Sequence, residues 1–312
     1  MNIYFAPMEA ITGYTFRNAH SDIFGGIDKY FSPFISPTVN SDLRNKEMRD
    51  IDPDNNTVPE LVPQLMTNDP DVFLRAADRL AQIGYKEVNF NLGCPSKTVT
   101  AKKKGSGFLR FPDEIDAFFE RVFDKVEVRV SVKTRAGYSE HEELMRMMEI
   151  YNRYPICELT IHPRIQSDMY RNTPDMEIFE RAYEMSRIPL CYNGDIVTLE
   201  GARQIMKKFD RLSSIMIGRG LLSHPGLAAE IRDGRRTTKE ELRKFHDRLY
   251  GEYKVLIGGE RNVLFKMKEL WSFLADEFED CAKTKKKILK AQRLSDYEAA
   301  VTEMFGKGLL YF

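Results

Sequence analysis

The sequence predicts an α/β fold, namely a (β/α)8 TIM barrel followed by a C-terminal all-helical domain. Eight short β-rich runs recur along the first two thirds of the chain, and helical patterns separate them. Such alternation indicates a parallel sheet that is buried on both faces. The chain has 312 residues, and a barrel typically takes roughly 250. Eight units and this length together favour a closed barrel with a small helical appendix.

The predicted strands are enriched in apolar and β-branched residues, and most end in polar residues or glycine. They occupy residues 3–6, 30–35, 61–66, 87–91, 129–134, 158–162, 189–193 and 213–217.

Between these runs, apolar residues recur at helical spacing, as in residues 71–83 and 114–123. Asp69 before Pro70, and Phe111 before Pro112, predict helix starts, and Thr198 is a predicted N-cap. The polar segment 40–58 breaks the alternation, and we interpret it as a loop or a short helix over the barrel mouth.

A further helix is predicted up to about residue 233, and the run 234–236 marks a boundary. We therefore predict a catalytic barrel over residues 1–235 and a helical domain over 236–312. The helical domain contains a basic run, 283–293, that includes Lys285 and Lys286. This run has two interpretations, a solvated helix face or a patch that contacts phosphates.

Composition narrows the class of protein. Lys and Arg total 47, and so do Asp and Glu, which excludes a uniformly basic nucleic-acid binder but not a local basic patch. The four cysteines lie far apart, which predicts reduced thiols and a cytoplasmic location. We also expect no leader, no membrane span and no metal site, because the sequence lacks a long apolar run and metal-ligand spacing.

In a closed barrel the carboxyl ends of the strands meet at one rim, where loops build the pocket. Polar residues or glycines follow nearly every predicted strand, so the sequence predicts a pocket with several donors, cations and one thiol. These residues are Pro7, Met8, Glu9, Gln64, Asn91, Cys94, Lys133, Arg135, His162, Arg164, Asn193, Gly194, Asp195, Gly218, Arg219 and Gly220.

Cys94 is the first candidate for the reacting group, since Gly93 and Pro95 place its thiol where strand pairing must stop. The alternative is a small core residue, which is our interpretation of Cys157 and Cys191. Lys133 ends an apolar run and requires a partner there. A phosphate, an anionic flavin edge or an enzyme-bound imine would each account for it, and the structural alternative is a neighbouring carboxylate.

Seven motifs occur in the same order as in the tRNA-dihydrouridine synthase family, which this sequence resembles from residue 6 to about 226. The helical tail is similar in kind to that of the family, and with it the chain resembles most the bacterial branch that modifies position 16. The motifs are Ala6-Pro7-Met8-Glu9, Val62-Pro63-Gln64-Leu65, Asn91-Leu92-Gly93-Cys94-Pro95-Ser96-Lys97, Val132-Lys133-Thr134-Arg135, His162-Pro163-Arg164, Asn193-Gly194-Asp195-Ile196 and Ile217-Gly218-Arg219-Gly220.

The resemblance implies a barrel that binds FMN and uses NADPH to reduce the C5=C6 bond of a uridine in tRNA. It implies that Cys94 is the proton donor and that Asn91 and Arg164 hold the uracil. Lys97 and the run with Lys285 and Lys286 would contact tRNA phosphates. The flavin would be held by Pro7, Met8, Glu9, Gln64, Lys133, His162, Asn193, Gly194, Asp195, Gly218 and Arg219.

Three other functions remain possible from the sequence. The first is a flavin barrel that acts on a free pyrimidine, although such an enzyme would not need the basic tail. The second is a lyase that forms an imine at Lys133, which leaves Cys94 and Arg219 without roles. The third is an RNA-binding protein on an inactive barrel, which the intact set of site residues disfavours.

Overall fold

A computed structural model describes residues 1–41 and 43–310, and it contains one parallel sheet of nine strands in the order β3-β2-β1-β9-β8-β7-β6-β5-β4. All eight predicted β-rich runs form strands. The strands are β1 Asn2–Phe5, β2 Lys29–Phe31, β3 Leu61–Val62, β4 Gln64–Leu65, β5 Glu87–Leu92, β6 Arg129–Gly137, β7 Leu159–Ile165, β8 Leu190–Tyr192 and β9 Ser214–Ile217.

The two end strands of this order, β3 and β4, are separated in the chain by Pro63 alone. Proline has no N–H to give to a ladder, so it divides the predicted strand 61–66 into two short pieces. The Pro63 carbonyl still accepts a hydrogen bond from the Asn89 N–H, at 2.9 Å. One piece pairs with β2 and the other with β5. The sheet therefore closes on itself, and the predicted barrel is confirmed.

Helices follow the strands and cover the barrel, and the predicted helix starts are confirmed. The Asp69 carboxylate accepts from the Asp71 and Val72 N–H groups, and the Thr198 hydroxyl accepts from Gly201. The helices are α1 Tyr14–Ile23, α2 Asn45–Ile51, α3 Pro70–Ile83, α4 Lys97–Thr100, α5 Pro112–Phe123, α6 Glu143–Tyr151, α7 Met176–Met185, α8 Leu199–Lys208, α9 Arg219–Ser223, α10 Leu227–Asp233, α11 Lys239–Leu256, α12 Glu260–Leu274, α13 Ala282–Lys290 and α14 Leu294–Lys307.

The main core lies between the strands and the surrounding helices. The Phe90 ring on β5 stacks on Phe118 of α5 at 4.6 Å between ring centroids, and Phe73 of α3 meets both rings edge-on. Each of these rings is almost fully buried. Burying aromatic side chains of this size is a large source of stability, about 1.5–3 kcal/mol per residue by transfer data.

The segment 40–58 contains the short helix α2, which was one of its two predicted conformations. Its position is set by Asp50, whose carboxylate pairs with the buried Arg17 at 3.0 Å and accepts from the Tyr14 N–H at 2.7 Å. Breaking a buried ion pair leaves an uncompensated charge, so this anchor holds α2 firmly beside the barrel mouth.

Helices α11 to α14 form a bundle against one side of the barrel. The Phe245 ring of α11 packs edge-on against Phe16 and Phe24, at 5.4 and 5.2 Å. The predicted domain boundary falls between α10 and α11. Within the described residues, no helix combines the length and the apolar composition that crossing a membrane requires.

Candidate active site

A pocket opens at the carboxyl ends of the barrel strands. It is concave and lined by both apolar and polar side chains, as small-molecule sites are. Residues from loops after most of the strands line it. They are Ala6, Pro7, Met8, Glu9, Phe34, Gln64, Asn91, Gly93, Cys94, Pro95, Lys133, Arg135, His162, Tyr170, Asn193, Gly194, Asp195, Ile196, Val197, Met216, Gly218, Arg219 and Gly220.

Cys94 lies two residues beyond β5, on a loop whose backbone is held by Asn91. The Asn91 Oδ1 accepts from the Gly93 and Cys94 N–H groups, at 3.0 and 2.9 Å. On the other side, the Ser106 hydroxyl donates to the Cys94 carbonyl at 2.9 Å. Gly105 permits this approach, because it has φ +55° and a Cβ there would lie 2.7 Å from the Cys94 carbonyl oxygen. Burial raises the pKa of the Cys94 thiol, so it stays protonated at neutral pH.

Buried amides connect this loop to the barrel interior. Asn91 Nδ2 donates to Gln64 Oε1 at 2.7 Å, and Gln64 Nε2 donates to Asn89 Oδ1 at 2.7 Å. Asn89 then donates to the Ser131 hydroxyl at 2.9 Å. Each primary amide carries two N–H groups, so Asn91 and Gln64 each keep one for a ligand. The chain of amides fixes both side chains in place.

Lys133 and His162 supply two further donors. Within the described part of the chain, Lys133 has no carboxylate partner, and burial lowers its pKa to about 8. Burial and the nearby cations lower the pKa of His162 well below its usual range, so the ring is neutral. Arg164 donates to His162 Nε2 at 3.0 Å. The imidazole proton therefore lies on Nδ1, where it can be donated.

Asp195 is held between two arginines. Arg164 makes a two-pronged ion pair with it, and Arg219 donates to its Oδ1 at 2.7 Å. Burial opposes ionisation of Asp195, but the hydrogen bonds and charges of Arg164 and then Arg219 outweigh it and lower its pKa. Asp195 has φ 40°, a left-handed conformation that is uncommon outside glycine. The ion pairs hold this unfavourable conformation at the pocket edge.

Arg135 and Tyr170 form one wall of the pocket. The Arg135 guanidinium donates to three backbone carbonyls, those of Gly93 at 2.9 Å, Ile165 at 2.9 Å and Met169 at 2.7 Å. It also lies 5.2 Å from the centroid of the Tyr170 ring, and Arg219 lies 5.0 Å from the same centroid. Tyr170 is 45% exposed. It is therefore an aromatic surface at the mouth, held by two cations.

A second cavity adjoins the pocket and shares Glu9 and Phe34 with it. This groove lies between the α2 segment and helices α11 and α12. Four cationic side chains line it, namely Arg44, Lys46, Arg49 and Lys266. Phe265 lines it as well and is 58% exposed. Four carboxylates line it too, those of Glu9, Glu47, Asp50 and Glu269, so its charge is mixed. Its cations and its aromatic ring are the groups that suit a polyanion that carries bases.

A family model described as dihydrouridine synthase (Dus) matches residues 4–307, nearly the whole chain. The chain belongs to the dihydrouridine synthase family. The resemblance that the seven motifs indicated is thereby confirmed.

Relatives named tRNA-dihydrouridine synthase B share about 30% identity with this chain. One from Pasteurella multocida is 31% identical over 232 residues, which are 72% of this chain and 67% of that protein. One from Shewanella oneidensis is 29% identical over 61% of this chain and 64% of that protein. One from Escherichia coli K12 is 29% identical over 72% of this chain and 70% of that protein. The dihydrouridine synthase match thus extends to particular bacterial proteins.

Solved structures with the same architecture include several barrels of low sequence identity. Histamine dehydrogenase from Rhizobium sp. 4-9 gives a TM-score of 0.56 at 12% identity, covering 79% of this chain and 49% of that chain. Morphinone reductase gives a TM-score of 0.51 at 11% identity, and the match covers 77% of this chain and 89% of that chain. At these identities the likeness concerns the fold alone.

The structure brings fifteen of the sixteen residues predicted at the barrel rim into one pocket lining. They are Pro7, Met8, Glu9, Gln64, Asn91, Cys94, Lys133, Arg135, His162, Asn193, Gly194, Asp195, Gly218, Arg219 and Gly220. Arg164 lies behind the wall instead, 1% exposed, with its guanidinium bound to Asp195. Lys97 is exposed on α4, and Lys285 and Lys286 lie on α13 in the helical region. These three lysines are not part of the pocket lining.

The sequence predicted Arg135 at the rim but gave it no role, and it did not identify Tyr170, which also lines the pocket. Arg135 stands two positions after Lys133 on the same strand and therefore on the same face. Tyr170 lies in a loop after β7, and no periodic signal marks it.

Proposed function

We propose that this protein reduces the C5=C6 bond of a uridine in tRNA, with bound FMN and with NADPH as the reductant. The observation that supports this function best is the dihydrouridine synthase match over residues 4–307, joined to a pocket that retains every residue expected to hold flavin.

The donors in the pocket fit a flavin. Its ring edge presents carbonyl oxygens and ring nitrogens, and it becomes anionic on reduction. Lys133 and the Nδ1–H of His162 supply a cation and a donor, and no carboxylate of the described residues competes for them. The free amide hydrogen of Gln64 would add another. Asn193 already donates to the Met216 carbonyl at 2.8 Å, which leaves its oxygen as an acceptor. Arg219 would hold the phosphate.

The chemistry requires a hydride and a proton. Reduced flavin supplies the hydride when it is bound, and Cys94 would supply the proton to C5. The S–H bond breaks as the C5–H bond forms, and the electron pair of the S–H bond stays on sulfur. The raised pKa of Cys94 keeps the proton on the thiol until it is needed.

Asn91 would hold a uracil carbonyl with its remaining amide hydrogen. Arg164 was expected to hold the uracil too, but its buried position supports a different role. Its guanidinium is occupied by Asp195, His162 and the Asn172 carbonyl. We therefore infer that Arg164 acts through Asp195 and that Arg135 and Tyr170 form the wall that the substrate meets.

Transfer RNA would lie along the groove beside the pocket. Taking one base out of its stack costs a few kcal/mol, which phosphate contacts must offset. Lys46 and Arg49 line the groove and would make such contacts. Lys97 and the α13 lysines would extend this surface. The choice of position 16, the preference for NADPH and the cytoplasmic location stay predictions from the sequence.

The test is to incubate the purified protein with FMN and NADPH, giving it either unmodified tRNA or free uridine. We expect dihydrouridine in the tRNA and none from free uridine, as measured by mass spectrometry of nucleosides. Reduction of free uridine at an equal rate would favour the free-pyrimidine alternative. Trapping of a substrate on Lys133 by borohydride would favour the imine lyase.

A further inference from the structure

The loop that carries Cys94 receives hydrogen bonds from three separate elements. Ser106, which lies in the 3-10 turn Gly105–Arg110, holds the Cys94 carbonyl, and Arg135 on β6 holds the Gly93 carbonyl. The third donor is Gln166, one residue beyond β7, whose Nε2 donates to the Pro95 carbonyl at 2.9 Å. The Gly93 and Pro95 carbonyls, on either side of Cys94, are thus held by side chains from neighbouring strands.

We propose that Gln166 is a positioning residue that fixes the Cys94 thiol for proton transfer. The proposal rests on the proposed function of Cys94 as the proton donor. Nothing else in the proposed reaction uses Gln166, which does not line the pocket.

Gln166 can act on Cys94 through its hydrogen bond to the Pro95 carbonyl. Its backbone N–H donates to the Gly137 carbonyl at 3.0 Å, so the end of β6 fixes its main chain. Its side-chain amide then reaches across to the Pro95 carbonyl. Pro95 is buried, and a buried carbonyl that loses its partner costs about 1–3 kcal/mol. Without Gln166 the loop would relax toward another donor, and Cys94 would move with it.

Gln166 also couples Cys94 to the wall of the pocket. The loop 166–172 carries Tyr170, whose ring lies at the mouth between Arg135 and Arg219. Arg135 joins the same two loops, because it binds carbonyls on both. The proton donor and the aromatic wall are therefore connected by two side chains, Arg135 and Gln166.

The experiment compares Gln166→Met, which keeps the length but removes the donor, with Gln166→Glu, whose carboxylate cannot donate. Gln204→Met is the matched control, because among residues 1–41 and 43–310 the Gln204 side chain binds only Glu200, on the same helix α8. Two readouts are used. One is the rate at which iodoacetamide labels each cysteine of the purified holoenzyme, resolved by peptide mass spectrometry, with Cys281 as the internal reference. The other is steady-state tRNA reduction as a function of pH.

We expect both Gln166 variants to change the labelling rate of Cys94 severalfold and to leave that of Cys281 unchanged. We also expect kcat to fall roughly 10- to 100-fold, as small misplacements of a reacting group do, with little change in KM for tRNA. A Cys94 labelling rate equal to that of the wild type in both variants would overturn the proposal. Labelling does not depend on turnover, so it decides the role of Gln166 even if the proposed function fails in the tRNA assay.

Discussion

At the scale of single residues, the pocket combines cations, neutral donors and one protonated thiol. Lys133, Arg135 and Arg219 are cationic side chains in the lining, and the neutral His162 adds a donor. Two carboxyl groups also line the pocket: Arg164 and Arg219 offset the charge of Asp195, and burial raises the pKa of Glu9, which disfavours its charged form. A low-dielectric site of this kind favours an anionic ligand, and its cations stabilise negative charge that develops during a reaction.

The first prediction concerns Lys133, whose charge lies in the pocket and has no carboxylate partner in the part of the chain that the structure describes. We expect Lys133→Met to make the midpoint potential of the bound flavin more negative by roughly 30 mV or more, since a two-electron couple shifts 30 mV for each 1.4 kcal/mol. A redox titration measures this shift. Lys97→Met, on the exposed helix α4, is the control. A potential equal to that of the wild type would show that Lys133 does not stabilise the reduced flavin.

The second prediction concerns the Arg164–Asp195 pair. If Arg164 acts through Asp195, then Arg164→Met and Asp195→Asn should each weaken flavin binding, and the double variant should be no worse than either one. We expect a coupling free energy of about 0.5–3 kcal/mol from flavin titrations of the four proteins. Additive losses would mean that Arg164 has a separate role, such as contact with the uracil.

Much of the site could be predicted at this scale, because polar residues after buried strands must meet at the barrel rim. The different roles of two arginines, Arg135 and Arg164, could not be predicted from the sequence. Arg135 and Arg164 each stand two positions after a strand-end residue, Lys133 and His162, so the sequence pattern treats them alike. Asp195, on the loop after β8, takes Arg164 as its partner, while Arg135 turns to loop carbonyls. That difference depends on contacts between distant parts of the chain.

At the scale of elements, loops on the barrel position the reacting groups, and helix α13 presents the basic run. The run is less cationic than its sequence suggests. Lys285 pairs with Asp276 at 2.7 Å, and Lys287 pairs with Glu303 at 2.7 Å. These carboxylates are distant in sequence or on another helix, so the sequence alone did not reveal them. Exposed pairs of this kind are weak, but they reduce the field that a phosphate would meet.

The third prediction separates the lysines of α13. No ion pair engages Lys286 in the described residues, so Lys286→Gln should weaken tRNA binding more than Lys285→Gln does. It should also lower the dependence of log affinity on log salt by about one, as the loss of one phosphate contact does. Binding titrations at several salt concentrations test this. Equal affinities in both variants and in the wild type would mean that α13 is a solvated face.

At the scale of the whole molecule, the predicted (β/α)8 barrel and helical tail are both present, and buried contacts join them. One contact is polar. His224, just after α9, binds Glu230 of α10 and Glu277, which follows α12. The partner Glu277 lies 53 residues away, which is why periodicity could not identify it.

The fourth prediction follows from this contact. Burial disfavours the charged ring of His224, but hydrogen bonds and charges from Glu277 and Glu230 outweigh burial and raise its pKa. The ion pairs should therefore stabilise the fold fully below the unfolded pKa, about 6.5. That stabilisation should be lost as pH rises through the pKa of His224 in the folded state, which is higher than in the unfolded state. Urea unfolding at several pH values measures this loss, and His224→Gln should remove it. The same pH dependence in both proteins would contradict this assignment.

The account as a whole depends on Cys94 as the proton donor in a tRNA reductase. The most direct measurement mixes the pre-reduced flavoprotein with unmodified tRNA and follows reoxidation of the flavin by absorbance, in the wild type and in Cys94→Ala. We predict that the variant retains flavin and is reoxidised by tRNA about 100- to 10,000-fold more slowly, as the loss of a general acid implies. Reoxidation of the variant by tRNA at the wild-type rate would contradict the account.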